Sequence, residues 1–473
     1  MSAKAAVELK PSTGSQERLL LDPRPRAEMN DMVMEAMLTT TPRYWIAVGV
    51  LAALVAVCLF GAWGYMVMTG MGVAGIRRPV FWGVFIANFV FWIGVSHSGT
   101  LVSAILRIFK AEFRRSFTRA AELLTTFSLA VAGMYPLIHL GRVWRFYWML
   151  PYPNQRWLWP NFHSPLMWDM MAIFTYLIGS TLYLYVPMIP DLAMARDRST
   201  GWRKKLYSAL SLGWRGTEGQ WKGLNTTLHI FAFAILTVAF SVHIIVSWDF
   251  AMSYRPGWRS SVFGPYFVSG AIFSGVSLVG TTLFLVRATM KHMKYFLREE
   301  HFDAMGKLIL VFSMVWSYFF FNDFLTEWYG GEQLGKWIIQ LNTRGPLAWM
   351  FYLMLFTNIV VPLSLLWNRK VRRTPWAVGV IGIVVNIGMY IERYLIVTNV
   401  LSRNHFPFDW GWYKPFPVEI LISIGSASLF ILLYLVVSRL IPLIPVWEVE
   451  EGHVVHRVRR LGKAELPAVS ELE

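Results

Sequence analysis

Long apolar runs recur along the chain and alternate with short polar or basic segments. A run of about 20 apolar residues crosses roughly 30 Å of hydrocarbon as an α-helix. The pattern therefore predicts an all-α membrane protein with about ten transmembrane spans. The predicted spans lie near residues 44–68, 80–106, 119–146, 165–187, 223–248, 262–287, 304–329, 346–367, 375–400 and 416–441.

Composition and charge agree with a membrane protein rather than a soluble one. The chain is 55% hydrophobic and 15% charged, whereas soluble domains carry about 25% charged residues. Its net charge of +16 follows from the positive-inside rule and needs no nucleic-acid partner. Basic residues concentrate in the loops 107–119, 196–222, 287–307 and 369–373. These loops are expected on the cytoplasmic side, which places both termini in the cytoplasm.

A weak internal repeat predicts two duplicated four-helix bundles. Pro-Leu-Met-Trp at 165–168 opens one span and Pro-Leu-Ala-Trp at 346–349 opens another, and residues 121–124 resemble residues 306–309. Asp169 falls opposite Met350 in this repeat, so a site with an acid is favoured in the first bundle. The predicted divisions are a cytoplasmic N-terminal tail at 1–43, a peripheral helix at 44–79, a first bundle at 80–250, a second bundle at 251–400, a peripheral helix at 401–445 and a cytoplasmic C-terminal tail at 446–473.

The cysteine count limits the redox groups that the chain can hold. Cys58 is the single cysteine and lies within an apolar run, so no cysteine set for covalent haem or for an iron–sulfur cluster exists. His229 and His243, fourteen residues apart on one span, leave a b-haem as an alternative, although no facing histidine pairs regularly with them. No metal site is predicted. If this chain handles electrons, it must pass them to a partner.

The strongest candidate site joins two neighbouring spans. His139 lies near the end of the third span and Asp169 just inside the fourth. If these spans form a hairpin, both groups lie at one depth near the outer face, in a cavity lined by tryptophans. There they would bind the two oxygens of a quinol and accept its protons. Tyr135 and Arg142 share a helix face with His139 and would contribute to the pocket.

A second interpretation of these residues remains open. His139 would then only bond to a backbone carbonyl, and Asp169 would pair with Arg142 or cap its helix after Pro165. Asp249, at the outer end of the fifth span, either completes the pocket or caps a loop.

Other ionisable groups within the spans are costly in a membrane and need a reason. Ser-His-Ser-Gly-Thr at 96–100 forms a polar cluster in the second span, with Ser96, His97 and Ser98 as its candidate proton carriers. The cluster would continue a proton path, with His97 beside the quinol, or make a helix contact through small residues. Glu122 near the inner end of the third span would mark a proton entrance or serve as an interfacial anchor.

Acidic and basic residues also occur in the seventh and ninth spans. Asp323 and Glu327 share one face of the seventh span, and Glu392 and Arg393 are adjacent in the ninth. They would form an interhelical ion pair, for example Arg393 with Asp323 or Asp249. Alternatively, Asp323 and Glu392 would extend the proton path, with Arg393 near the quinol.

Several ordered motifs together resemble the NrfD/polysulfide-reductase membrane-subunit family, and more closely the quinol-oxidising ActC-type subunit of bacterial alternative complex III. The resemblance covers nearly all of the chain except the two tails. The motifs are His-Leu-Gly-Arg at 139–142, Leu-Pro-Tyr-Pro-Asn-Gln-Arg at 150–156, Leu-Trp-Pro-Asn-Phe at 158–162, Ser-Pro-Leu at 164–166, Trp-Asp at 168–169, Ile-Pro-Asp-Leu-Ala at 189–193, Pro-Tyr-Phe-Val-Ser-Gly-Ala-Ile-Phe-Ser-Gly at 265–275 and Val-Asn-Ile-Gly-Met-Tyr-Ile-Glu-Arg at 385–393.

The resemblance implies a ten-helix subunit of the bacterial inner membrane with no haem or iron–sulfur cluster of its own. It would oxidise menaquinol near the periplasmic face and pass electrons to an extrinsic periplasmic iron–sulfur subunit. Multihaem cytochrome c subunits and a second NrfD-like membrane subunit are the other implied partners. His139 and Asp169 would be the quinol ligands, with Asp249 and Arg393 as neighbours. Asp323 departs from the family pattern, where a Glu is expected.

Other functions remain open beside this one. The chain would serve as the membrane anchor and quinone subunit of a polysulfide-reductase-like molybdoenzyme, as a proton-translocating module without quinol chemistry, or as a passive anchor for redox subunits.

Overall fold

Ten helices are long and apolar enough to cross a membrane in the computed structural model, which describes residues 24–150, 165–253, 255–403, 406–455, 458–461 and 464–467. The number and the all-α class confirm the prediction of a polytopic membrane protein. Numbered as spans 1 to 10, they are Pro42–Thr69, Gly83–Ile108, Thr118–His139, Met167–Asp197, Glu218–Ala251, Phe263–Thr289, Glu299–Tyr329, Ala348–Leu365, Pro375–Leu401 and Pro417–Val437.

Eight of these spans form two four-helix bundles with the same pattern of neighbours. In the first bundle, span 2 packs against spans 3 and 5, and span 4 packs against the same two. In the second, span 6 packs against spans 7 and 9, and span 8 packs against the same two. The bundles meet where span 2 contacts spans 6 and 9. A common origin of the bundles by duplication stays a prediction.

Spans 1 and 10 pair with each other and lie beside the first bundle. Gly425 permits the close contact between them, since an added Cβ would lie 2.4 Å from the backbone nitrogen of Leu59. Span 10 also bonds to span 3, where the Tyr434 hydroxyl donates to the carbonyl of Ala120 at 3.2 Å. These contacts hold the two spans against one side of the protein.

Two span boundaries differ from the hydropathy pattern by more than five residues. Span 3 ends at His139 rather than near residue 146, because Gly141 adopts a positive φ of 70° and turns the chain. The apolar residues that follow form the separate 3₁₀ segment Val143–Met149. Span 4 continues to Asp197 rather than ending near residue 187, because Pro187 lies in the first turn of a 3₁₀ segment where its missing N–H costs little.

Shorter elements connect and cover the spans. The helices are Arg26–Leu38, Gly201–Leu210, Met293–Phe296, Gln333–Arg344, Arg369–Arg372 and Val446–Val455, and the 3₁₀ segments outside the spans are Met71–Val73, Glu112–Ser116, Val143–Met149 and Pro407–Asp409. The strands Val458–Leu461 and Ala464–Pro467 form an antiparallel pair. Two of these helices lie in the segments predicted as tails, and the first of them contacts the last.

The helix Val446–Val455 is fixed to the first bundle by a buried ion-pair cluster. Glu448 is 1% exposed, and its carboxylate accepts from Arg107 at 2.8 Å and from Arg114 at 2.7 Å. Burial alone raises the pKa of Glu448, but the guanidinium groups of Arg107 and Arg114 outweigh it and lower this pKa to about 2. The helix therefore closes the end of the first bundle opposite to His139.

Replacing Glu448 with Gln should destabilise the protein by about 3–5 kcal/mol, because two buried guanidinium groups lose their carboxylate. The folded pKa lies below the ordinary value of about 4.3. The stabilisation by Glu448 is therefore complete above that value and is lost as the pH falls towards about 2. Thermal unfolding of the purified protein checks both effects. Glu450→Gln is the control, since its pair with Arg26 is exposed, and equal unfolding temperatures for the two variants would contradict the account.

Spans 2 and 3 approach closely at Gly99. A Cβ added there would lie 1.6 Å from the carbonyl oxygen of Ala121. Beside it, the Thr125 hydroxyl donates to the carbonyl of Ser96 at 2.7 Å and accepts from the backbone N–H of Thr100 at 2.9 Å. The small and hydroxyl residues of this polar cluster therefore do join two helices.

Gly99→Ala should lower the unfolding temperature, because the spans must separate to admit the methyl group, at a cost of about 1–3 kcal/mol. Gly64→Ala is a matched control within span 1, since no atom lies within 4 Å of its added Cβ. Detergent-solubilised protein followed by thermal unfolding gives the comparison. The close approach would be refuted if the two variants unfolded at the same temperature.

Candidate functional site

His139 and Asp169 lie at the same end of the first bundle. His139 is the last residue of span 3, and Asp169 lies near the beginning of the helix Pro165–Tyr185 that forms most of span 4. Spans 3 and 4 pack against each other. Because consecutive membrane spans run in opposite directions, the end of span 3 is level with the beginning of span 4. The part of the connection at 151–164, which carries two of the sequence motifs, lies outside the described residues.

Asp249 joins Asp169 at this end of the bundle. Spans 4 and 5 are neighbours, and the rings of Trp168 and Trp248 meet edge to face with centroids 6.2 Å apart. The next residue in each span is the aspartate, and the two carboxyl groups are close enough to interact electrostatically. Asp249 therefore lies beside Asp169, and its part in a pocket with His139 stays a prediction.

Three buried polar atoms at this end have no hydrogen-bond partner within the described residues. They are Nδ1 of His139 and one carboxylate oxygen each of Asp169 and Asp249. Asp169 is only 4% exposed. Buried polar atoms in folded proteins are almost always bonded, so such a group of exceptions is a candidate for a binding site. In the described part of the chain, Asp169 forms no ion pair with Arg142 and His139 makes no bond to a backbone carbonyl.

Tyr135 and Arg142 lie differently from His139. The Tyr135 hydroxyl donates to Ser426 of span 10 at 2.7 Å and is fully buried. The His139 ring instead faces Phe85 of span 2, with centroids 6.5 Å apart. Arg142 is exposed just before the 3₁₀ segment. The helical spacing predicts that Tyr135, His139 and Arg142 share one face. Because the helix ends at His139, Arg142 does not lie on that face.

His97 lies deeper, in the core of the first bundle. Its ring nitrogens are each 2.8 Å from a backbone carbonyl oxygen, of Ile93 and of Ala239. Tyr176 contacts its ring at 5.2 Å and follows Asp169 on span 4 by seven residues, about 10 Å along the helix. His97 therefore has its polar atoms engaged at a distance from the candidate site.

His243 is a buried group that sequence reasoning treated only as a haem alternative. Its ring centroid is 4.5 Å from that of His97, and its Nε2 donates to the carbonyl oxygen of Phe267 at 3.0 Å. His229, its proposed companion, is exposed and bonds to the carbonyl of Asn225 at 2.8 Å. The two histidines of span 5 thus have different surroundings, and the cross-bundle contact of His243 has no signal in the sequence.

Arg393 lies where the two bundles meet. Its Nη2 donates to the carbonyl oxygen of Phe267 at 3.2 Å, and its guanidinium stacks on the Phe267 ring at 4.1 Å. Its Nε is 3.2 Å from the carboxylate of the adjacent Glu392. The expected ion pair of Arg393 with Asp323 or Asp249 is wrong for the described residues, since the neighbouring carboxylate is already in place.

The residues assigned to a proton path fall into separate clusters. The Ser96 hydroxyl donates to the carbonyl of Ile93 at 2.6 Å, and the side chain of Ser98 lies outside the described part. Glu122 is buried at the opposite end of the bundle, where it accepts from Ser103 at 2.6 Å. It is therefore an interior group rather than an anchor at the interface. Asp323 accepts from the hydroxyl of Ser260 in the second bundle.

Residues 72–403, more than half of the chain, match the family described as "Polysulphide reductase, NrfD". The chain is 26% identical to a putative dimethyl sulfoxide reductase membrane subunit of Halobacterium salinarum, over 85% of this chain and 92% of that protein. It is 22% identical to the Hdr-like menaquinol oxidoreductase integral membrane subunit of Archaeoglobus fulgidus, over 86% and 96% of the two chains.

A third relative, a selenate reductase subunit of Mesobacillus selenatarsenatis, is 22% identical over 79% of this chain and 88% of its own. All three relatives therefore match over almost their whole lengths, and the ten spans fit a membrane subunit of an oxidoreductase complex. This protein belongs to the NrfD family of polysulphide-reductase membrane subunits.

Proposed function

We propose that this chain is the quinol-binding membrane subunit of a respiratory quinol:electron-acceptor oxidoreductase, of the alternative complex III type, and that it oxidises menaquinol. The observation that carries the proposal is the group of unpartnered buried atoms on His139, Asp169 and Asp249 at one end of the first bundle. A hydroquinone ring offers two hydroxyl donors, and this end of the bundle offers acceptors for both.

The reaction assigns each group a simple task. Oxidation of a quinol releases two protons and two electrons and leaves the quinone. Nδ1 of His139 accepts a hydrogen bond from one hydroxyl and a carboxylate oxygen of Asp169 accepts from the other, so each is placed to take a proton. Asp249 stands beside Asp169 and receives a proton from it in turn. The electrons pass to an extrinsic iron–sulfur subunit and then to multihaem cytochrome c subunits.

The relatives support quinol chemistry in general terms. One is named a menaquinol oxidoreductase subunit, and two are named subunits of reductases. A second candidate function follows from those two names: the quinone-binding membrane subunit of a polysulfide-reductase-like molybdoenzyme. The same residues would serve there, with electrons flowing in either direction.

The charge pattern and the family resemblance support a proposed placement in the cell. The basic loops favour cytoplasmic termini, and with them a site near the periplasmic face of a bacterial inner membrane. A second NrfD-like membrane subunit is proposed as a neighbour. Coupling to proton translocation would involve Glu122, Ser96, His97 and Ser98 in the first bundle and Asp323 and Glu392 in the second, with Arg393 as an electrostatic neighbour.

Replacing His139 with Ala or Asp169 with Asn should reduce quinol oxidation by the assembled complex about 100-fold or more, since a positioned proton acceptor contributes at least that much. Steady-state oxidation of a short-chain menaquinol analogue measures the effect. His229→Ala is the control, because that side chain is exposed on span 5.

The alternatives predict other results for the same variants. Normal electron transfer with lost proton translocation would identify a proton module. Unchanged electron transfer and translocation would leave only a passive anchor. Both results require that the complex still assembles, which size-exclusion chromatography verifies.

Asp169→Asn and Asp249→Asn should not have additive effects. The two carboxyl groups interact, and groups that act as a unit lose most of their joint contribution with the first substitution. We expect the double variant to oxidise quinol no more than a few-fold more slowly than the slower single variant. Rates that multiply in the double variant would show that the two acids act independently.

A further inference from the structure

The second bundle contains a cavity that lies apart from the proposed quinol site of the first bundle. It lies between spans 6, 7, 8 and 9 and the helix Gln333–Arg344, at the end where span 7 leads to span 8. Its volume is about 60 Å³. Its walls are mostly aromatic and aliphatic. They include Phe263, Phe320, Phe324, Phe351 and Met354.

A few polar groups converge on this apolar space. Asp323, Glu327, Asn342 and Glu392 line it. Glu392 is 1% exposed, and its carboxylate oxygens accept no hydrogen bond of normal geometry from the described residues, although Arg393 lies 3.2 Å away. Apolar walls with a small number of placed polar groups are typical of small-molecule sites between the helices of a bundle.

The internal repeat relates this cavity to the candidate quinol site. The match of residues 121–124 with 306–309, carried forward along span 7, relates three cavity residues to the stretch of chain around His139. The pairs are Tyr135 with Phe320, His139 with Phe324 and Arg142 with Glu327. The match of 165–168 with 346–349 does the same for span 8, and it relates Met170 to Phe351 and Ile173 to Met354.

The geometry points to this cavity as a second binding site for the hydroquinone head of a membrane quinol. The existence of a site rests on the cavity and on the polar groups that line it, whereas the identity of the ligand rests also on the proposed function. Carboxylates suit a quinol because they accept hydrogen bonds from its hydroxyl groups. No oxidation is assigned to this site, which binds the quinol only.

The other occupant that carboxylates suggest is a metal ion. Within the described part of the chain, no three His, Cys, Asp or Glu side chains are placed to hold one. Asp323 is bonded to Ser260, and Asn342 accepts from Asn399 at 2.7 Å. Aromatic walls contribute nothing to a cation site of this kind, whereas they pack well against the flat ring of a quinol.

The helix Gln333–Arg344 forms part of the cavity wall and offers a way in. Ile338 is buried and Ile339 half-buried on the cavity side, whereas Lys336 and Gln340 are exposed. A helix with one apolar and one charged face lies in the plane of the membrane interface. The mouth beside it would therefore admit a quinol head from the lipid, with the isoprenoid tail remaining in the membrane.

A photoreactive menaquinone analogue, bound to the assembled complex and mapped by peptide mass spectrometry, tests the inference. We expect labelling in two regions, one in spans 3 to 5 and one in residues 311–354. Ile339→Trp, which fills the cavity, and Glu392→Gln, which removes its charge, should each reduce the second labelling at least tenfold. Gln340→Trp, the matched control on the exposed face of the same helix, should leave it unchanged.

The two proposals fail separately in this experiment. Labelling confined to spans 3 to 5, or a second labelling that persists in Ile339→Trp, would overturn the second site and leave the proposed function standing. Labelling confined to residues 311–354 and sensitive to Ile339→Trp would support the second site while contradicting the quinol site of the first bundle. If neither region is labelled, both are overturned.

Discussion

The cost of burying polar groups in a membrane determines how this structure is arranged. Most of the buried polar side chains in the spans have hydrogen-bond partners, as the Thr125 hydroxyl does between spans 2 and 3. Among the buried polar atoms without a partner in the described residues, three belong to His139, Asp169 and Asp249 at one end of the first bundle, and two belong to Glu392 beside the cavity of the second. Since each unbonded group costs free energy, their grouping is best explained by ligands that complete the bonding.

The interface between the bundles connects these two regions structurally. The carbonyl oxygen of Phe267 accepts from His243 of the first bundle and from Arg393 of the second. Neither a peptide carbonyl nor a guanidinium passes protons readily, so this contact stabilises the interface and does not form a proton path. The contact joins the two bundles, and it surrounds the buried guanidinium of Arg393 with hydrogen-bond acceptors and the ring of Phe267.

The sequence predicted much of this arrangement. Hydropathy is sufficient to predict the ten spans. His139 and Asp169 are predicted at one depth because the end of one span lies beside the beginning of its antiparallel neighbour. The ends of the spans are less predictable where backbone geometry determines them. At Gly141 a positive φ ends span 3, although the following residues are still apolar. Helical spacing also could not show that Tyr135 bonds to span 10.

Contacts between distant spans were the least predictable. Arg393 was expected to pair with an acid on another helix, yet its guanidinium lies beside Glu392 and a backbone carbonyl. A carbonyl partner has no sequence signal, and the same is true of the bond from His243. The depth of Asp249 is predictable from the sequence, but its neighbour Asp169 is not.

The most direct test of the account is a high-resolution map of the assembled complex with a bound quinol analogue. The account predicts the ring between spans 3, 4 and 5, with one oxygen within hydrogen-bond distance of His139 Nδ1 and the other within reach of the Asp169 or Asp249 carboxylate. A ring bound elsewhere while these three side chains remain unpartnered, or side chains of His139 and Asp169 that face lipid, would contradict it.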